Sequence, residues 1–178
     1  MKGAPPPIRR AGSGRTVGSV TQTGAVVMLD VDGVVNPLAA PGRPARRMHF
    51  DAAVGQRIRR LAALAEVVWA TTWDAATQRT ITTTFGLPAF RAASAEDPFV
   101  RPVSPNLPAV AAWATVHEPP GGWRGFVWID DELEGDARAW AREQPFLVQL
   151  IRPHPVEGLQ DVHVERAEEF LRALPRLG

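Results

Sequence analysis

The sequence predicts an α/β fold: a three-layer, Rossmann-like sandwich built on a mainly parallel central sheet. Three observations carry that prediction. Short apolar runs alternate with helical patterns from residue 25 onward, the runs are apolar on both faces, and acidic or hydroxyl residues collect at their carboxyl ends. Strands covered by helices on both sides of a parallel sheet show this kind of unbroken apolarity.

The elements follow in order. Residues 1–23 are rich in Pro, Gly, Ser and Arg without apolar periodicity, and read as a flexible N-terminal tail ahead of a single domain over 24–178. Gly12–Gly18 has a phosphate-loop flavour but lacks the Gly-Lys-Ser/Thr ending, and no strand precedes it. Ala25–Val31 is a buried strand, and 38–48 a Pro- and Arg-rich loop. Asp51–Ala65 is a helix capped by Asp51, with Val54, Ile58, Leu61 and Leu64 as its apolar stripe. Glu66–Thr71 is a strand. Asp74–Phe85 is a helix closed by Gly86, with Pro88 just beyond. A short strand near Ala89–Ala92 precedes a helix over Leu107–Val116. Gly125–Ile129 is a strand, Glu132–Glu143 a helix, Phe146–Ile151 a strand and Val162–Leu174 a terminal amphipathic helix.

Composition narrows the function classes. The chain has 178 residues, 45% of them hydrophobic and 22% charged, as in an ordinary globular protein. Its 20 basic and 19 acidic side chains nearly cancel, so no global charge calls for a nucleic-acid or membrane partner. Arginines crowd the first third, among them Arg43, Arg46 and Arg47. With no cysteine, disulfide frameworks, thiolate nucleophiles and Cys-ligated zinc are excluded. No apolar run approaches the roughly 20 residues of a membrane span, so a cytoplasmic protein is the default expectation.

In open parallel sheets ligands sit at the carboxyl ends of the strands. Here the first strand ends in Asp30-Val31-Asp32, the second in Thr71-Thr72-Trp73-Asp74, and the Gly125–Ile129 strand in Asp130-Asp131. Each piece alone has a plain reading: Asp74, Asp130 or Asp131 can cap the helix that follows, and Asp-x-Asp-Gly can be a turn. Their convergence on one edge argues for a site. Clustered carboxylates raise one another's pKa unless a cation binds, and an all-oxygen set suits Mg²⁺. His49, His117, His154 and His163 lack metal-ligand spacing.

These residues also carry a resemblance. DVDGVV (Asp30–Val35) resembles the first motif of the haloacid dehalogenase-like (HAD) superfamily, Asp-x-Asp-x-Thr/Val, with Val34 in the last place. Thr71 resembles the second motif and WIDDE (Trp128–Glu132) the acidic fourth. LDVDGVVNP, WATTWD, FGLP, WIDDE and the late GLQ are similar to a small HAD-type group whose members occur alone and as modules of RNA-repair proteins. The resemblance covers about residues 25–170.

It implies a Mg²⁺-dependent phosphohydrolase in which Asp30 is the nucleophile and forms an aspartyl-phosphate, Asp32 is the acid/base, and Thr71 binds a phosphoryl oxygen. Gly33, Thr72 and Trp73 would contact substrate. Asp30, Asp32, Asp130 and Asp131, with the Val31 carbonyl, would hold the metal. The third motif normally supplies a lysine, but Lys2 is the only lysine here. Asn106 occupies the matching place, with Arg91, Arg101 and Arg124 as other sources of charge. A unit charge about 4 Å away is worth roughly 4 kcal/mol at an effective dielectric near 20, or on the order of 10³-fold in rate.

The intervals from Asp32 to Thr71 and from Thr71 to Asn106 are nearly consumed by core elements, so no large cap domain fits and the site should be open. A phosphorylated small molecule, a nucleic-acid end or a phosphoprotein would be the substrate, and a protein partner could close the site. The alternative is a degenerate HAD fold that binds a phosphate ligand or a partner with little turnover.

Overall fold

The computed structural model describes residues 24–39, 51–93 and 103–175. The predicted N-terminal tail, the stretch of the predicted loop that holds Arg43, Arg46 and Arg47, and Arg101 lie outside the described residues.

Five strands form one parallel sheet in the order β3-β2-β1-β4-β5: β1 (Ala25–Leu29), β2 (Glu66–Ala70), β3 (Arg91–Ala93), β4 (Gly125–Ile129) and β5 (Leu147–Ile151). The chain winds outward from β1 through β2 to β3, then returns to lay β4 against the other side of β1. The strand order therefore reverses beside β1, which opens a crevice at the carboxyl ends of β1 and β4.

Alternation along the strands feeds two cores. Val27 and Leu29 of β1 and Val127 and Ile129 of β4 face one layer, formed by α1 (Ala52–Ala62), α2 (Ala75–Phe85) and α5 (Asp161–Ala173) through Ile58, Leu61, Ile81, Phe85, Val164 and Leu171. Val26, Met28, Phe126 and Trp128 face the other, formed by α3 (Leu107–Val116) and α4 (Gly135–Glu143) through Val110, Trp113 and Ala137. Complete burial of β1 and β4 explains why those runs carry no polar alternation. The predicted α/β sandwich is the observed one, and no large cap interrupts it among the described residues.

Boundaries moved in two instructive places. The helix expected from Glu132 starts at Gly135, because the turn after β4 is spent on side-chain contacts: Asp130 Oδ1 accepts the Glu132 N–H at 2.8 Å and Ser104 Oγ accepts the Glu134 N–H at 2.9 Å. Strand β1 stops at Leu29 rather than Val31, since Val31 begins a tight loop. Asp51 and Asp74 do cap their helices. Asp74 accepts from both Ala76 and Thr77 N–H, and left-handed Gly86 closes α2. Among the described residues no helix is long and apolar enough to cross a membrane.

Candidate active site

Register alone assembles the carboxylates. Leu29 pairs with Ile129 and with Trp69, so the next residues, Asp30, Asp130 and Ala70–Thr71, emerge side by side. The Asp30 N–H continues the ladder to the Ile129 carbonyl at 3.0 Å. Carboxylate oxygens of Asp30, Asp130 and Asp131 lie within 4.8 Å of one another, and all three residues are buried.

Burial first, then the neighbouring Asp130 charge, pushes the Asp30 carboxyl up to about 8. The Val31 N–H, which donates to Asp30 Oδ1 at 2.7 Å, and the Thr71 hydroxyl both favour the charged form and only partly offset this. Asp131 is raised to about 6 by burial and by Asp130. Burial also raises Asp130, against hydrogen bonds from Asn106, Glu132 and Trp128 and the charge of Arg152. Three buried, mutually repelling carboxyls with oxygen donors only are a cradle that a hard divalent cation would neutralise. The donor set fits such an ion.

Asp32 stands apart from that cluster, unlike the four-carboxylate set expected from the sequence. Its Oδ2 accepts the Trp73 indole N–H at 2.7 Å and its Oδ1 the Asn36 amide at 3.4 Å. Trp73 thus joins the first loop to the end of β2, and its own backbone N–H reaches the Thr71 hydroxyl at 3.4 Å. Thr72 is exposed on the same turn. Val31 departs from expectation too. Its carbonyl, expected to face an ion, accepts the N–H groups of Val34, Val35 and Asn36 within the loop.

Gly33 is required sterically. It has φ +65°, and a Cβ there would lie 2.3 Å from the Asp131 carboxyl carbon. The first loop therefore packs directly against the acidic turn after β4. From the other side, Gly158 and Leu159 of the late GLQ stretch brace the same loop: the Leu159 N–H donates to the Val34 carbonyl at 2.8 Å. A Cβ on Gly158, at φ +68°, would meet that carbonyl at 2.6 Å.

Asn106 is buried, and its amide donates to Asp130 Oδ2 at 2.9 Å, an oxygen that Trp128 Nε1 also approaches at 3.3 Å. It positions an acid rather than bringing a charge. Arg91 and Arg124 do not reach the site. Arg91 pairs with Glu66 at 2.6 Å, at the amino end of β2, and Arg124 bonds the Leu174 carbonyl where β4 begins. Among the described residues, Arg152 brings a basic side chain to the acidic edge, and its Nε–H donates to the Asp131 carbonyl at 2.8 Å. Sequence reasoning missed it, although it directly follows β5 and so falls under the same strand-end rule that found the acids.

A parallel α/β sandwich, without a large cap among the described residues and with a buried carboxylate centre at the crevice beside its first strand, defines the class: a HAD-like fold with a candidate metal centre. The chain belongs to the family described as "HAD domain in Swiss Army Knife RNA repair proteins", whose model matches residues 26–164. No curated protein matches the sequence. Among solved structures, the chain is similar to a Legionella pneumophila protein described as a HAD superfamily (subfamily III A) hydrolase. The two share 14% identity over 84% of this chain and 85% of that one, at a TM-score of 0.40.

Proposed function

We propose that this chain is a Mg²⁺-dependent phosphohydrolase that acts through Asp30 on an accessible phosphate ester. The observation that carries the reading is the meeting of Asp30, Asp130 and Asp131 within 4.8 Å in a buried site at the switch point. Burial and Asp130 push the Asp30 carboxyl up to about 8, so Asp30 keeps its proton at neutral pH unless a cation binds, and a protonated Asp30 is no nucleophile.

Asp30, Asp130 and Asp131 would hold Mg²⁺, which supplies charge neutralisation for the carboxylates and the phosphoryl oxygens. The Asp30 carboxylate attacks phosphorus, an aspartyl-phosphate forms, and the ester P–O bond breaks. Asp32 gives its proton to the leaving oxygen and then takes one from the water that hydrolyses the acyl phosphate. Trp73 and Asn36 set the orientation of Asp32 for both transfers. The Thr71 hydroxyl, beside Asp30, binds a phosphoryl oxygen. An open, capless edge suits a phosphate at the end of a large substrate, and the RNA-repair setting of the family favours a nucleic-acid end over a nucleotide or a phosphoprotein.

The test is a phosphatase screen with and without Mg²⁺ on wild type, Asp30→Asn and Asn106→Lys. Mg²⁺-dependent release of phosphate by wild type, lost by at least about 10³-fold in Asp30→Asn, is expected. Turnover that persists in Asp30→Asn would remove the nucleophile assignment. A specific observation favours a second reading, a phosphate-binding domain with little turnover: the amide of Asn106 stands where the family lysine is expected. That reading predicts a silent wild type and an active Asn106→Lys.

A further inference from the structure

The register that pairs Ile129 with Ile151 brings Arg152, the residue after β5, beside Asp130. Its Nε–H is tied to the Asp131 carbonyl at 2.8 Å, and its terminal Nη2 pairs with Glu134 Oε1 at 2.7 Å. These bonds use only part of a guanidinium with five N–H donors, and the side chain remains 45% exposed. The grip on the Asp131 carbonyl is internal and fixes the base of the side chain. The pair with Glu134, itself 38% exposed, is a surface contact that contributes little and exchanges readily.

The surroundings give that guanidinium a task. Asp30, Asp32, Asp130 and Asp131 share this edge, with Glu132 and Glu134 on the turn after β4. A phosphate monoester carries about two negative charges at neutral pH. One divalent cation cannot balance that charge together with the carboxylates, and Asn106 brings none. Guanidinium is planar, permanently charged and matched to two phosphoryl oxygens at once.

We infer that Arg152 is the cation this site presents to the phosphate group of its ligand, with Glu134 holding the guanidinium until the oxyanion displaces it. The inference rests on the reading of the carboxylate centre as a phosphoryl site. It makes Glu134 a competitor of the ligand, which a purely structural ion pair would not be.

Opposite responses in two variants test it. Binding of inorganic phosphate in the presence of Mg²⁺ is measured by calorimetry on the full chain for wild type, Arg152→Gln, Arg152→Lys and Glu134→Gln. Expected is a weakening of about tenfold or more in Arg152→Gln, a smaller loss in Arg152→Lys, and tighter binding in Glu134→Gln. Equal affinity in wild type and Arg152→Gln overturns the inference. So does a parallel loss in Arg152→Gln and Glu134→Gln, which marks the pair as a strut. A wild type that binds no phosphate with Mg²⁺ overturns the phosphoryl reading and this inference with it. Failure of the inference alone shows instead as unchanged binding across the Arg152 variants.

Discussion

Gly33 shows how closely single residues are constrained at this edge. Its left-handed backbone costs a side chain about 1–2 kcal/mol, and the Asp131 carboxyl fills the space that a Cβ needs. Gly33→Ala should therefore lose roughly that much stability in a urea melt. It should lose proportionally more Mg²⁺ affinity, about tenfold or more, because Asp131 must leave the cluster. Calorimetric Mg²⁺ binding that matches wild type would show that Asp131 has no part in holding the ion. Asn106, expected in the place of the family lysine, is one of three donors to Asp130, alongside Trp128 and the Glu132 N–H. Asp32 is defined by its partners in the same way. The Trp73 indole N–H holds its carboxylate outside the Asp30–Asp130–Asp131 group, and the proposed mechanism uses that separation to give two aspartates two residues apart different tasks.

At the scale of elements, the pattern of the chain was a good guide wherever burial decides structure. Strand β4 and helix α3 fall on the predicted residues because both are apolar segments with clear ends: Gly125 and Asp130 for one, Pro108 and His117 for the other. The helix caps at Asp51 and Asp74 were legible because a short polar side chain ahead of an apolar stripe has a local, sequence-near purpose. The late start of α4 was not legible. It depends on Ser104, thirty residues upstream, taking the Glu134 N–H while its own hydroxyl and N–H bond the Asp136 carboxylate at 2.6 and 3.0 Å. Contacts so distant in sequence leave no periodic signal. The carboxylates themselves could be read, since the strand-end rule needs only strand boundaries. Side-chain orientations could not, because they turn on partners such as Trp73 that come from the loop after another strand.

For the molecule as a whole, the buried carboxylate centre makes stability depend on pH and, if it holds Mg²⁺ as proposed, on the metal. The Asp30 carboxyl has a folded pKa of about 8 against an ordinary value of 3.8. The native state therefore keeps a proton that the unfolded chain gives up. Its contribution is present in full below about pH 4 and is lost as pH rises toward 8, and Asp131 adds the same trend up to about 6. Without divalent ions, the melting temperature should fall between about pH 5 and pH 8. Because Mg²⁺ competes with those protons, it should raise the melting temperature more at pH 8 than at pH 5. Scanning calorimetry with and without Mg²⁺ checks both; a metal-free melting temperature that rises over this range would contradict the burial of these groups.

On the proposed mechanism, Asp30 accepts a phosphoryl group when the acidic edge holds a cation. Acid-quenched single-turnover reactions with a ³²P-end-labelled oligonucleotide and Mg²⁺, followed by peptide mapping, would trap that phosphoryl group on the protein. Label on the peptide that contains Asp30, absent without Mg²⁺ and absent from Asp30→Asn, is the expected result. Release of labelled phosphate with no label on Asp30 at any time, and undiminished in Asp30→Asn, would contradict it.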